Sequence, residues 1–162
     1  MMDFLDMPGH LIRRLHQISS SIFAEEMAHA GFDLTPVQYA ALIALAFHPD
    51  VDQNTLAGLI AHDRATLGGV VERLEKRGYL RREISRVDRR ARALHLTEKG
   101  HALVKTVLPA VRRVQEEILA PLTPDERDTF LALIAKVTDA GNERARAPLR
   151  LPQREGVSLA DE

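Results

Sequence analysis

Arginine is the side chain that grips phosphate and reads guanine, and this sequence concentrates it. From Arg73 to Arg92 there are nine Lys or Arg and three acids. That window carries +6 in a chain of net charge −1, so the remainder carries −7. A basic stripe on an acidic body suits contact with a polyanion through one face. Just ahead of it stands Asp63-Arg64-Ala65-Thr66. Aspartate caps a helix, and Arg64 on the leading turn can pair bidentately with a guanine edge. Thr66 can meet a phosphate or a thymine methyl. Arg73 lies farther along the same helix. Gly68-Gly69 in mid-helix costs about 1 kcal/mol per residue relative to alanine. Close approach of the helix backbone to DNA, or to a neighbouring helix, would offset that cost. Farther on, Arg86, Arg89 and Arg90 flank Asp88 in a polar turn. An aspartate among arginines can orient one guanidinium while another enters the narrow, electronegative minor groove.

The elements that must position these residues follow from periodicity and caps. Pro8 opens a long amphipathic helix over residues 8–29, with Leu11, Leu15, Ile18 and Ile22 at helical spacing and Gly31 ending it. Thr35-Pro36-Val37-Gln38 is a capping box opening a second helix through Phe47. His48-Pro49-Asp50 is a break, and Asp52 caps a short third helix. Asp63 caps a fourth, Arg64 to Arg77, closed by Gly78. Tyr79-Leu80 and Ile84 suggest a strand, and residues 91–96 alternate like a returning one. Thr97 caps a helix to about Ala120, with a kink expected at Pro109. Thr123-Pro124-Asp125-Glu126 is a second capping box, for a last helix to about Ala140. The fold class expected is mainly α with a small β-hairpin wing: a winged helix-turn-helix with a helical dimerisation region. Residues 1–34 and 98–141 form that region, residues 35–97 the DNA-binding lobe, and residues 142–162 a tail that is flexible or orders only against a partner subunit.

Other classes of function find little support. There is no cysteine, and the seven histidines offer no i, i+4 pair with an intervening acid, so no metal site is expected. No phosphate-binding glycine loop, nucleophile elbow or paired-carboxylate site is present, so the chain reads as no enzyme and no cofactor is expected. No apolar run approaches the roughly 18 residues of a membrane span, and the chain is expected to stay in the cytoplasm.

The run from Asp63-Arg64-Ala65-Thr66 through Val71-Glu72-Arg73-Leu74-Glu75-Lys76-Arg77-Gly78-Tyr79-Leu80, then Asp88-Arg89-Arg90 and Leu94-His95-Leu96-Thr97-Glu98-Lys99-Gly100, resembles the MarR family of bacterial regulators. The resemblance covers about residues 8–140. It departs at Gly68-Gly69, where many members carry larger polar or basic residues, and at Ser85, where an aspartate is frequent. It implies a homodimer whose terminal helices interlock, placing two lobes over a pseudo-palindromic stretch of double-stranded DNA. It also implies control by a small effector. The opening run Pro8-Gly9-His10-Leu11-Ile12-Arg13-Arg14-Leu15-His16-Gln17 is similar to members that sense aromatic or heteroaromatic carboxylates. The chemistry is consistent: His10, Arg14, Gln17 and Ser21 edge the apolar stripe of the first helix, with His16, Phe23 and Met27 along its other edge. An Arg or His beside apolar walls can hold a carboxylate, and Tyr39 and Phe47 can pack a ring. The expectation is a repressor released from its operator by such an acid. Two alternatives use the same fold: an architectural DNA-binding protein without effector, and a protein-interaction module.

Overall fold

The computed structural model of the chain describes residues 3–85 and 92–152. Its helices start where a side chain satisfies backbone N–H groups that have no partner inside the helix. α1 (Pro8–His29) opens on its proline, and Gly31 beyond its end takes φ 78°. α2 (Pro36–Phe47) carries a reciprocal box: the Gln38 N–H donates to Thr35 Oγ1 at 3.2 Å, and the Thr35 N–H donates to Gln38 Oε1 at 3.0 Å. Asp52 caps α3 (Gln53–Leu59) and Asp63 caps α4 (Arg64–Lys76), where Arg77 is the C-cap. Thr97 caps α5 (Glu98–Ile118), which is continuous through Pro109. A second reciprocal box, Thr123 with Glu126, opens α6 (Pro124–Gly141). Each cap falls on the residue expected from the sequence.

A small antiparallel sheet stands beside this helical array. β1 (Val51–Asp52) is its shortest strand, and β2 (Leu80–Ile84) and β3 (Arg92–Leu96) form the hairpin. Leu80 lies opposite Leu96 and Ile84 opposite Arg92, while Val51 pairs with Leu94 on the other side of β3, giving the order β1-β3-β2. β1 lies just after the expected break at His48-Pro49-Asp50 and is an addition to the sequence reading. Two residues show no alternation, and their partner strand lies far along the chain.

One core joins α2, α3 and α4 to the long helices α1 and α5. Leu42 and Leu45 of α2, Leu56 of α3, and Leu67, Val71 and Leu74 of α4 are buried together. Met27 of α1 and Val107 and Val114 of α5 belong to the same cluster. Burying one such side chain contributes about 1.5–3 kcal/mol. α1 buries Phe23 and Met27, which lie on one edge of its apolar stripe. The centre of the stripe stays open, with Leu11 and Ile18 exposed. The reason is that α1 lies along α5 on one side only, and Glu26 fixes that side by accepting from Arg113 Nε at 2.5 Å. α6 buries none of its residues and exposes Leu131, Leu133, Ile134 and Val137. Beyond it, the stretch expected to be flexible or to order only against a partner subunit is structured against its own chain as far as it is described. Asn142–Arg144 form a 3-10 turn, and the Arg150 N–H donates to Gly58 O at 2.8 Å, so residues 142–152 cross back over α3 of the same chain. Residues 153–162 lie outside the described residues.

Candidate nucleic-acid interface

The candidate recognition element begins at the turn between α3 and α4. Ala61 takes φ 49°, a left-handed conformation, and the His62 N–H donates to Ala57 O at 2.9 Å. This sharp reversal sets α4 across α3. Asp63 Oδ1 then accepts from the Ala65 N–H at 2.9 Å. The Thr66 hydroxyl donates to Asp63 O at 3.1 Å and lies 3.1 Å from His62 Nε2, so it is engaged within the turn. α4 turns Leu67, Val70, Val71 and Leu74 inward. Arg64, Ala65, Thr66 and Arg73 are exposed on the remaining face. Arg64 makes no hydrogen bond or ion pair among the described residues. Its guanidinium is free to meet another molecule.

Gly68 and Gly69 lie on the same helix. A Cβ at Gly68 would meet only Gln53 Nε2, at 3.4 Å, and one at Gly69 only the guanidinium of Arg73, from 3.9 Å. Ordinary contact distances like these do not demand glycine. Among the described residues no close helix neighbour accounts for the pair.

Behind α4 the wing is braced by charge. Arg82 Nη1 donates to Glu75 Oε2 at 2.6 Å, and Arg81 Nε to Glu83 Oε1 at 2.5 Å. His95 Nε2 stands 3.4 Å from Asp50 Oδ1 and 3.9 Å from Glu83 Oε2. On the exposed face of α4, Lys76 pairs with Glu72 at 2.7 Å and holds that carboxyl below its ordinary pKa by hydrogen bond and charge. The candidate wing residues Arg86, Asp88, Arg89 and Arg90 lie outside the described residues.

The far end of α4 is locked to α5. Arg77 Nη1 donates to Asp33 O at 2.6 Å, Lys99 Nζ donates to Arg77 O at 2.8 Å, and the Thr97 hydroxyl donates to Gly78 O at 2.7 Å. Arg77 and Lys99 both lie over the Tyr79 ring, at 5.1 and 4.8 Å from its centroid. Gly78 takes φ 75°, which a side chain would strain. Gly78 and Thr97 are legible in the sequence as helix ends, but their contact is visible only in the fold.

A second candidate site lies between α1, α2 and α5. His16, Ser19, Ser20 and Phe23 line a cavity of about 200 Å³ with Pro36, Val114, Gln115 and Ile118. The Tyr39 ring stands 6.3 Å from that of Phe23, and burial raises its phenol pKa. Of the expected ligand residues, His16 is in this lining and Tyr39 is behind it. Arg14, Gln17 and Ser21 are exposed on α1, with Gln17 accepting from Arg13 Nη1 at 3.1 Å. His10 packs against Phe4 with ring centroids 4.5 Å apart. Phe47 is 76% exposed and edges a different apolar groove, with Ile43, Leu59 and Leu151. Ser19, Ser20 and Gln115 were not singled out from the sequence. The signal available for Gln115 is its polar side chain between Val114 and Ile118 on α5. Among the described residues no cluster of three or more His, Asp or Glu could hold a metal, and no helix is long and apolar enough to cross a membrane.

The family model described as MarR family matches residues 32–91. The HTH-type transcriptional repressor NicR of Pseudomonas putida is 33% identical over 138 residues, covering 85% of this chain and 86% of NicR. Among solved structures, the PcaV transcriptional regulator of Streptomyces coelicolor, in complex with its natural ligand, superposes with a TM-score of 0.77 at 34% identity, covering 87% of this chain and 98% of PcaV. BpsR of Bordetella bronchiseptica, whose DNA binding is regulated by 6-hydroxynicotinic acid, has a TM-score of 0.77 at 32% identity over 86% of this chain and 98% of BpsR.

Proposed function

Because this chain belongs to the MarR family of winged helix-turn-helix transcriptional regulators, we propose that it works as a homodimeric repressor that a small aromatic or heteroaromatic carboxylate releases from DNA. The observation that carries the reading is Arg64: an exposed, unpaired guanidinium on the first turn of a capped helix, with a basic hairpin behind it. α4 enters the major groove, where Arg64 reads a base edge and Arg73 meets the backbone. The wing arginines Arg86, Arg89 and Arg90 add backbone or minor-groove contacts, with Asp88 orienting one of them. The Gly68-Gly69 pair then serves close approach of α4 to the duplex.

Two lobes come together through the uncovered faces of α1 and α6. Leu11, Ile12 and Ile18 on the one and Leu131, Ile134 and Val137 on the other are exposed in the single chain. A second copy covers them most simply, in a two-fold arrangement. His10, Arg14, Gln17 and Ser21 then lie toward the subunit boundary.

The acid is placed in the cavity between α1, α2 and α5. Its volume of about 200 Å³ is below the range usual for larger ligands and suits a single ring. Phe23 and Ile118 give apolar walls, and His16, Ser19 and Ser20 give polar groups for a carboxylate. NicR is named a repressor, and PcaV and BpsR are described with a natural ligand and 6-hydroxynicotinic acid respectively, which supports this reading. A ligand wedged between the long helices and the lobe acts by preferring one spacing of the two recognition helices. The test is anisotropy titration of the protein on DNA upstream of its own and neighbouring genes, with and without benzene- and pyridine-ring acids. Tight binding to one of these DNA segments, abolished by such an acid, is expected. Binding nowhere, at any acid concentration, would contradict the reading.

A further inference from the structure

The segment beyond α6 is anchored to α2 and α3 by a hydrogen bond and by apolar packing. The Arg150 N–H donates to Gly58 O at 2.8 Å, at the end of α3. Leu151 edges the apolar groove formed by Ile43, Phe47 and Leu59. The segment also braces itself: the Leu149 N–H donates to Asn142 Oδ1 at 2.8 Å, and Arg150 Nη2 pairs with Glu143 Oε2 at 2.8 Å. Gly58 is the landing point, since a Cβ there would come within 2.9 Å of Arg150 Cβ and its three nearest neighbours would all be atoms of that residue.

This path delivers Arg146 to the start of the recognition helix. Arg146 Nε lies 2.9 Å from Asp63 Oδ2 while the Arg146 side chain remains 85% exposed. Asp63 is needed as the cap of α4, yet its charge sits on the turn that leads toward DNA phosphates. Arg146 offsets that charge, and its terminal nitrogens remain available to an anion. Arg146 and Arg64 share one open cavity of about 430 Å³ with His62 and Arg150. The segment 142–152 carries three arginines and one acid, so its charge matches the polyanion that α4 is read as meeting.

We propose that this C-terminal strap is a further element of the DNA-binding surface, beside α4 and the wing, and that Arg146 contacts the phosphate backbone next to the start of α4. The proposal rests on the reading of the chain as a DNA-binding regulator. A strap that masked the surface by imitating DNA would be acidic; this one is basic.

Phosphate contacts need no particular sequence, so double-stranded DNA of mixed sequence is the probe. Each phosphate neutralised adds about 0.9 to the slope of log affinity against log salt. Arg146→Ala should make that slope shallower by about 1 per subunit, and a chain ending at Gly141 by at least as much. Gly58→Leu keeps every charge but displaces Arg150, and should shift the slope the same way. Thermal melts of each variant show whether the lobe is still folded. Slopes and affinities equal to the parent's in folded Arg146→Ala and Gly58→Leu would overturn the proposal. Tighter DNA binding without the strap would overturn it too, and would make the strap a mask. Absence of salt-dependent DNA binding by the parent would overturn both the proposal and the reading beneath it.

Discussion

Gly100 sits directly against Tyr79: a Cβ on Gly100 would lie 2.0 Å from Tyr79 O and 3.0 Å from its carbonyl carbon. Real atoms cannot approach so closely. The first turn of α5 therefore rests on the backbone that links α4 to β2, and the Thr97 N–H completes the junction by donating to Tyr79 O at 3.1 Å. This contact joins the start of α5 to the chain that leaves α4.

Gly100→Ala is the first prediction. Overpacking against backbone costs on the order of 1–3 kcal/mol, and here the upper part of that range or more is expected. Chemical denaturation should show a lower midpoint at an unchanged slope. If the variant is as stable as the parent, the junction is looser than the structure has it.

Arg64→Ala should weaken operator binding by about 1–3 kcal/mol and relax sequence preference, as loss of a base contact does. Arg89→Ala and Arg90→Ala should instead lower affinity evenly across sequences and flatten the salt dependence. Competition titrations between operator and unrelated DNA separate the two patterns. Parental behaviour in all of these variants would misplace both helix and wing.

What could be read from the sequence was what local chemistry decides. Thr35 with Gln38, Asp52, Asp63, Thr97 and Thr123 with Glu126 satisfy N–H groups within a few residues, so each helix start was legible. Contacts between distant segments were not. β1 exists because β3 lies beside it, and Arg146 finds Asp63 only because residues 142–150 fold back over α3. The candidate ligand site was half legible for the same reason. His16 could be picked from the edge of one helix, whereas Gln115 joins it only through the crossing of α1 and α5. Periodicity marked the stripe around Leu11 and Ile18 as apolar, but it cannot say whether the same chain or a second one covers it.

Those uncovered faces carry the prediction of dimerisation. Sedimentation at micromolar concentration should show dimer, and Ile134→Glu together with Val137→Glu should shift the protein toward monomer. A charge forced into an apolar interface has no partner there. A parent that sediments as a stable monomer would contradict the proposed assembly.

Two substitutions on α1 address the effector. His16→Ala removes a polar group from the cavity lining and should weaken binding of an aromatic acid at least tenfold, leaving DNA affinity in place. Arg14→Ala, on the outward face, should likewise blunt the acid response in the dimer. Calorimetric titration of each variant with an acid that binds the parent provides the check. Unchanged affinity in both would move the site elsewhere.

Competition of acid and DNA for the same protein can be measured in one titration. The affinity of the dimer for its operator is determined with and without an acid already shown by thermal shift to bind. A preference of about 3 kcal/mol for the DNA-incompetent spacing lowers operator affinity roughly a hundredfold. A fall of that order is expected, with a matching weakening of acid binding when operator is present. Identical operator affinity at saturating acid would contradict it.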